Sequence, residues 1–334
     1  MKKDERRLNP KSEIQNGKSK TALRVGVSLI LLLFAALTIA ILFGSEKLAF
    51  FELNEQQATI LFDIRLPRIL LGASVGASLA LAGASLQSLL RNPLAEPYLL
   101  GVSNGAALGT MLSFIFFAQT ELARPVMAFA GASLATFVVY QMAKSRAGMN
   151  VERLILSGVI VTTFLSSIIV LLTSLIDATK LRSFTFWLLG DLSQATKNGF
   201  YLSFAAVLIG TFVLMRTARA LNLMMIGERD ALDFGVEVEK TRLAVFATSS
   251  LLVGTAVAAS GSVGYVGLIV PHLIRLAAGS DNRFVIPFSA LAGAVFVVLA
   301  DTLARTLIAP RELPVGAITA LIGAPLFIYL LRRN

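Results

Sequence analysis

The chain has 334 residues, of which 56% are hydrophobic and 15% charged, and its mean hydropathy is +0.76. Soluble domains are about 45–50% apolar and about 25% charged, so this composition excludes an ordinary soluble protein and predicts one that faces lipid. Cysteine is absent and His272 is the single histidine, which excludes disulfides, thiol nucleophiles and cysteine-based metal sites and argues against a histidine-ligated metal.

Ten segments are apolar enough to be membrane helices, which need roughly 20 apolar residues each. Asp301 interrupts one of them, and glycines and Pro271 divide the long apolar stretch 243–274 into two. In chain order the predicted spans are 25–44, 69–90, 97–118, 125–143, 154–176, 198–215, 243–262, 265–278, 284–304 and 313–331. The sequence therefore predicts an all-α polytopic membrane protein, with a basic tail over 1–24 and a ten-helix domain over 25–331.

The positions of the basic residues support this count. With the N-terminus in the cytoplasm, ten spans place 21 lysines and arginines on the cytoplasmic side and 9 outside, which is the expected asymmetry. Nine spans would leave Arg332 and Arg333 outside. The net charge of +10 thus reflects topology, and nucleic-acid binding is excluded. The run 25–44 is too long for a cleaved signal peptide, so we interpret it as a retained first helix.

Small residues recur at helical spacing in the second predicted span, at Gly72, Gly76, Ala80 and Gly83. Such a face allows close helix packing in lipid. Segments 65–101 and 242–279 each begin with Arg-Leu, continue through small residues and end near a proline. Interrupted segments in both halves are typical of transporters built from inverted repeats, so we suspect such a repeat.

The sequence offers no site for nucleotide chemistry. Residues 17–19 are Gly-Lys-Ser, but Ser12 stands where a phosphate-binding loop needs glycine, and no strand precedes them. His272 follows Pro271 at a predicted helix start, where a structural or capping role is favoured over proton transfer. We therefore predict that the chain is not an enzyme and needs no cofactor or metal.

Asp301 is the clearest ionisable residue inside a predicted span. It lies four residues before Arg305, which predicts a local ion pair. An ion-coupled secondary transporter would use several intramembrane carboxylates, and an intramembrane enzyme would need a catalytic pair that the apolar spans lack. These two classes are the rival interpretations.

The polar segment 216–242 contains five acidic and five basic residues around several apolar ones. A hydrophobic patch within a balanced charge field is typical of a surface that binds another protein. The alternative is a merely solvated loop. The apolar residues are Leu221, Leu223, Met224, Met225, Leu232 and Phe234.

Several long motifs, in order, make the chain resemble the FecCD family of ABC-importer permeases, which carry ferric siderophores, haem or cobalamin. The resemblance covers about 60–331. Its motifs are IRLPR (64–68), GASLALAGASLQSLLRNPLAEPYLLGVSNGAALG (76–109), WLLGDL (187–192), GERDALDFGV (227–236), GYVGLIVPHLIRLAAGSDNR (264–283), ADTLAR (300–305) and ELPVGAITALIGAPLFIYLL (312–331).

The resemblance implies a type II importer assembly in the bacterial cytoplasmic (inner) membrane. Two such permeases, expected to be a homodimer, would enclose the pathway. Two separate ATP-binding subunits would lie in the cytoplasm, and a periplasmic or lipid-anchored substrate-binding protein would lie outside. Both termini of the permease would be cytoplasmic. A heterodimer with a paralogue stays open, as does the substrate, with an iron-siderophore chelate preferred over cobalamin or haem.

The resemblance also assigns roles to residues. It places ATPase coupling at Gly227, Glu228, Arg229, Ala231 and Gly235. It places binding-protein docking at Arg65, Arg68 and Arg305, which lie at outer span ends in the predicted topology. For Arg305, docking competes with the predicted pair to Asp301.

The polar corner RNPLAEPYLLG, residues 91–101, falls between the second and third spans. Pro93 and Pro97 fix φ and disfavour helical geometry in the residues before them, which predicts a rigid non-helical turn. The resemblance implies that Asn92, Pro93 and Leu94 form a cytoplasmic gate. The segment 149–153 matches no strong pattern, so a gate role there stays open. Gln87, Asn104 and Gln194 are candidate substrate contacts by polarity alone, in a pathway expected to be nearly uncharged.

Overall fold

The computed structural model describes residues 10–46, 54–120, 122–145 and 148–333, and this part of the chain is almost wholly helical. Residues 1–9 of the predicted tail lie outside it. The helices are α1 (Pro10–Leu42), α2 (Glu55–Thr59), α3 (Leu66–Leu89), α4 (Val102–Phe116), α5 (Ala123–Ala143), α6 (Val151–Thr173), α7 (Ala178–Leu188), α8 (Lys197–Ile226), α9 (Glu228–Asp233), α10 (Val238–Ser260), α11 (Val266–Ala278), α12 (Asn282–Thr306) and α13 (Val315–Arg333).

Three shorter elements complete the chain. A π-helical turn (Ile60–Arg65) joins α2 to α3, so that Glu55–Leu89 forms one continuous helical stretch. A 3-10 turn (Pro97–Leu100) precedes α4. Strands β1 (Lys144–Ser145) and β2 (Gly148–Met149) pair antiparallel between α5 and α6.

The predicted membrane helices are confirmed. Among the described residues, seven helical stretches are long and apolar enough to cross a membrane, and three shorter apolar helices, α4, α11 and the α13 stretch, match the remaining predicted spans. The division of 243–274 is also correct, because α10 ends at Ser260 and α11 begins at Val266.

Several predicted boundaries differ from the structure. Helix α1 begins at Pro10, within the predicted tail, and α4 begins at Val102 and not at 97. The segment 177–197, expected to be a polar connection, contains α7, whose amphipathic turns bury Phe184 and Trp187. The segment 216–242 is not one long loop, because α8 continues to Ile226 and α10 begins at Val238. Helices α8 and α10 continue through polar residues, so the loss of apolar character did not mark their ends.

Helix α3 lies at the centre of the subunit, and it is buried over nearly its whole length between α8, α10, α11 and α12. Glycines allow this close packing. A Cβ on Gly76 would overlap the carbonyl oxygen of Gly293 in α12, and one on Gly83 would overlap that of Gly267 in α11. The small-residue face predicted from the sequence is therefore a helix-packing face, where backbones touch directly.

The chain passes from α10 to α11 through a tight connection. Gly261 has φ +67°, and Tyr265, at φ +69°, precedes α11. Helix α11 begins at Val266, close to the start of the predicted span 265–278, so Pro271 and His272 lie inside the helix and not at its start as was expected for His272. His272 lies in the second turn, where its ring meets the edge of Phe327 at 6.5 Å between centroids. The suspected inverted repeat stays a prediction.

Candidate functional site

The corner at residues 91–101 is a non-helical turn as far as Glu96, as predicted, and then the 3-10 turn Pro97–Leu100. Arg91 adopts φ +49°, outside helical geometry, and ends α3. The Asn92 side-chain Oδ1 accepts a hydrogen bond from the backbone N–H of Leu94 at 2.9 Å, and the Asn92 N–H donates to the Gln87 carbonyl at 3.1 Å. Local side-chain bonds of this kind fix a turn without help from helix or sheet. The exposed tip of the turn consists of two apolar residues, Pro93 and Leu94.

The second half of the corner is fastened to the α10–α11 connection. The Tyr98 hydroxyl donates to the Val263 carbonyl at 3.0 Å and accepts from the Val263 N–H at 2.9 Å. Glu96 Oε1 accepts from the N–H of Tyr265 at 3.3 Å. The corner and this connection therefore form one unit.

Gln87 belongs to the same framework. Its side chain is buried and donates to the carbonyls of Gly267 and Leu268 at 3.3 and 3.0 Å. Asn104 donates to the Thr162 carbonyl and to the Ser166 hydroxyl. Both of these polar side chains bind their own subunit in this structure.

The connection between α8 and α10 presents apolar side chains to its surroundings. Ile226, Leu232 and Phe234 are 75%, 56% and 74% exposed. Ala231 faces the opposite way and is fully buried, so it anchors α9 to the subunit. Gly235 has φ +77°, which favours glycine, and a Cβ there would meet no atom. Glu228 and Arg229 begin α9.

A polar cluster lies behind this connection, and no sequence pattern indicated it. Asn282 is fully buried and its Oδ1 accepts from the hydroxyl of Ser88 at 2.7 Å and from Arg275 at 3.4 Å. Its amide nitrogen and backbone N–H both donate to Asn222 Oδ1 at 2.9 Å. The cluster thus joins the inner ends of α3, α8, α11 and α12. Beside it, hydrogen bonds from Arg283 lower the pKa of Asp281 to about 2.

A second cluster lies at the opposite end of the subunit, and it contains the three predicted docking arginines. Arg68 binds Asp301 through Nε at 3.1 Å and Nη2 at 2.9 Å, and its Nη1 donates to Glu312 at 2.6 Å. Arg305 Nε lies 3.1 Å from Asp301 Oδ2, which is the ion pair predicted from their spacing. Sequence reasoning did not find the contact between Arg68 and Asp301, because these two residues belong to different helices.

These arginines are buried within the isolated subunit. Arg65, Arg68 and Arg305 are 4%, 7% and 3% exposed. Arg65 donates to the carbonyls of Ile41 and Glu46 at 2.8 and 2.7 Å. A partner carboxylate would have to exchange with these internal acceptors, because a buried charge left without partners is costly.

A cavity of about 430 Å³ opens beside this cluster, under α7. Three arginines line it, so this cavity is positively charged. The expectation of a nearly uncharged pathway stays a prediction. Among the described residues, Arg124 and Arg182 form no ion pair, and Arg182 lies over the ring of Phe186 at 5.9 Å. The other lining residues include Arg68, Trp187, Asp191, Gln194 and Glu312.

Comparison with known proteins identifies the family to which this chain belongs. The profile of the FecCD transport family matches residues 27–333. The chain belongs to the FecCD transport family. A solved structure described as an inward-facing conformation of a putative metal-chelate type ABC transporter superposes with a TM-score of 0.84 at 35% identity, over 92% of this chain and 98% of that one.

Two curated relatives in this family are similar along most of their length. The cobalamin import system permease protein BtuC of Halobacterium salinarum is 43% identical over 84% of this chain and 76% of its own. The hemin transport system permease protein HmuU of Yersinia pestis is 39% identical over 96% of this chain and 98% of its own.

The chain is therefore the permease subunit of a binding-protein-dependent ABC importer and has no ATPase domain. It is a multi-span protein of the cytoplasmic membrane and works with ATPase and binding-protein partners by homology. The predicted type II permease fold is confirmed. Membership in this family also removes the two rival classes, the secondary transporter and the intramembrane enzyme.

Proposed function

We propose that two copies of this chain form the pathway of an importer for an iron-siderophore-type chelate, with both termini in the cytoplasm. The observation that carries the choice of substrate class is the outer cavity, in which Arg124 and Arg182 form no ion pair among the described residues. Guanidinium groups without an ion pair favour carboxylate or similar oxygen anions, which ferric chelates commonly carry and which haem carries as propionates, so the cavity supports an anionic chelate. Cobalamin and haem are the alternatives, because similar permeases are named for them.

ATPase coupling is proposed for residues 227–235. This stretch shows the features of a protein contact, since Ile226, Leu232 and Phe234 are exposed among the charged residues of the connection between α8 and α10. Large apolar side chains surrounded by charges are typical anchors of an interface. In this arrangement Gly227 and Gly235 delimit α9, buried Ala231 seats it, and Glu228 and Arg229 lie at its start.

A cytoplasmic gate is proposed for Asn92, Pro93 and Leu94. The side chain of Leu94 is 47% exposed and apolar, and the Asn92 bond holds it in place. Two such tips, one from each copy, would close the inner end of a pathway between subunits. Conversion between closed and open forms requires that ATP binds one arrangement of the complex more tightly than the other.

Docking of the binding protein is proposed at the end that carries Arg65, Arg68 and Arg305. Glu312 is the most accessible carboxylate of that cluster, with a side chain 32% exposed. Burial alone would raise the pKa of Glu312, but the hydrogen bond and charge of Arg68 outweigh it and lower the pKa below its usual range. A carboxylate of the binding protein would compete with Glu312 for Arg68. Such a charge pair would determine how the binding protein is positioned on the permease more than how tightly it binds.

The experiment is purification of the tagged complex from its native membrane in mild detergent, followed by native mass measurement. The expected result is two permease copies with two P-loop ATPases. The neighbouring binding protein is then titrated with ferric citrate, a ferric catecholate chelate, hemin and cyanocobalamin. Tight binding of a ferric chelate supports the proposed substrate, whereas binding of hemin or cyanocobalamin alone overturns it and leaves the importer assignment standing.

A further inference from the structure

Arg242, in the second turn of α10, contacts two separate parts of the inner surface. Its Nη2 donates to Glu228 Oε2 at 2.7 Å, and its Nη1 donates to the carbonyl of Met149 at 3.1 Å. Glu228 is the first residue of α9, and Met149 is the last residue of β2, in the hairpin between α5 and α6. The Arg242 side chain is 12% exposed and that of its partner Glu228 is 44% exposed, so the guanidinium is largely buried while the Glu228 carboxylate is in part open to solvent.

A second side chain on the same helix closes the contact with the hairpin. Glu239 Oε1 accepts from the N–H of Met149 at 2.7 Å, and its Oε2 lies 3.7 Å from Arg242 Nη1. Both backbone groups of Met149 are therefore held by α10. Hydrogen bonds to charged groups are the strong ones, and here the acceptors and donors come from three segments of the chain.

Gly148 allows this approach. Its φ is +104°, which favours glycine, and a Cβ would lie 2.5 to 3.0 Å from the Glu239 carboxylate. The hairpin thus has the local backbone needed to receive Glu239. The base of α10 is itself fixed, since Val238 and Val245 are buried in the core.

The hairpin in turn leads to the corner at residues 91–101. Asn150 Oδ1 accepts from the Arg153 N–H at 2.9 Å and so starts α6 directly after β2. Further along α6, Gly158 packs on the carbonyl of Leu99, so closely that a Cβ would overlap it. A continuous set of packed and hydrogen-bonded groups therefore runs from α9 through Arg242 and α6 to the corner.

We infer that Arg242 is a positioning residue that ties the α5–α6 hairpin to α9, so that movement of α9 is delivered to α6 and the corner. This inference rests on the proposed function, in which the ATPase subunits bind α9. It also gives the segment 149–153 a role that its sequence pattern did not reveal. Arg242 itself touches neither nucleotide nor substrate in this scheme.

The test uses the absence of cysteine from the chain, because one introduced cysteine gives one label per copy. Bimane is attached to Lys144→Cys on the hairpin or to Asp233→Cys on α9, both exposed positions. The complex is purified with its ATPase subunits, and the emission change on adding ATP and vanadate is measured. In the otherwise unchanged chain both labels are expected to respond.

Arg242→Gln is expected to retain the response at residue 233 and to reduce the response at residue 144 at least about fivefold, the lower end of ordinary coupling between sites. Glu228→Gln attacks the same bridge from α9 and is expected to act in the same direction. Lys240→Gln is the matched control. Lys240 lies two residues before Arg242, and its side chain is 82% exposed. This control removes one positive charge from the same helix, and the responses at residues 144 and 233 are both expected to persist.

The possible outcomes separate this inference from the proposed function. An unchanged response at residue 144 in both Arg242→Gln and Glu228→Gln overturns the bridge, and so does a hairpin label that never responds while residue 233 does. If Arg242→Gln fails to assemble, Glu228→Gln decides. If no P-loop ATPase is recovered with the unchanged chain, the proposed function fails, and the bridge with it.

Discussion

Asp301→Asn tests the buried charge cluster at the end of the subunit that carries Arg68 and Arg305. The Asp301 side chain is 3% exposed and neutralises two arginines, Arg68 and Arg305. Arg68 also has Glu312 at 2.6 Å, whereas Asp301 is the sole carboxylate that the described structure brings to Arg305. The substitution keeps size and shape but removes the charge, so Arg305 is left buried without a counter-ion.

Breaking a buried pair from one side typically costs about 3–5 kcal/mol. Because Arg68 retains Glu312, we expect the lower end of that range, about 3 kcal/mol. With an unfolding entropy of roughly 2 cal/mol/K per residue, a chain of 334 residues would lose about 4 °C in its thermal midpoint. The assay is thermal unfolding in detergent micelles, followed by circular dichroism.

Asp63→Asn is the matched control, because it breaks a pair with Lys197 in which both side chains are more than half exposed. Exposed pairs contribute about 0–1 kcal/mol, so its midpoint should barely move. Adding Arg305→Met to Asp301→Asn should recover part of the loss, since the uncompensated charge is then removed. Equal midpoints for Asp301→Asn and Asp63→Asn would refute the reasoning.

Three further predictions concern other parts of the subunit. Phe234→Ala should reduce recovery of the ATPase subunits on purification, whereas Phe212→Ala, an equally apolar exposed position within α8, should not; equal recovery would contradict the interface. Gly83→Ala should destabilise the chain by about 1–3 kcal/mol through overpacking against α11, whereas Gly264→Ala, where a Cβ meets nothing, should show no steric penalty in the same melts. The folded pKa of Asp281 is depressed to about 2. The ionised carboxylate should therefore stabilise the fold above about pH 4, and this stabilisation should be lost as the pH falls toward 2. Asp281→Asn should abolish that part of the pH dependence in melts between pH 2 and 6.

The membrane helices could be predicted from the sequence because lipid imposes a simple rule. A crossing helix needs an uncharged run of a certain length, and that run is visible at 154–176 or 198–215 as plainly as in the structure. The corner at 91–101 was equally predictable, since Pro93 and Pro97 restrict the backbone locally.

The contacts between distant residues could not be predicted in this way. Arg68 and Asp301 are separated by 233 positions, and nothing local marks either as the partner of the other. The pair Asp301 and Arg305 was found because a helix repeats every 3.6 residues. Helix α7 left a signal that was overlooked: Asp177 caps its start, and Phe184 and Trp187 lie three residues apart on its buried face.

The burial of α3 also limits what one subunit can do alone. Its backbone touches α12 at Gly76 and α11 at Gly83 with no side chain between them, and protein interiors in general leave few voids larger than a water molecule. A molecule as large as a metal chelate could cross there only by forcing α3 away from its neighbours. This close packing fits the proposal that the pathway lies between two copies of the chain and not through the middle of one.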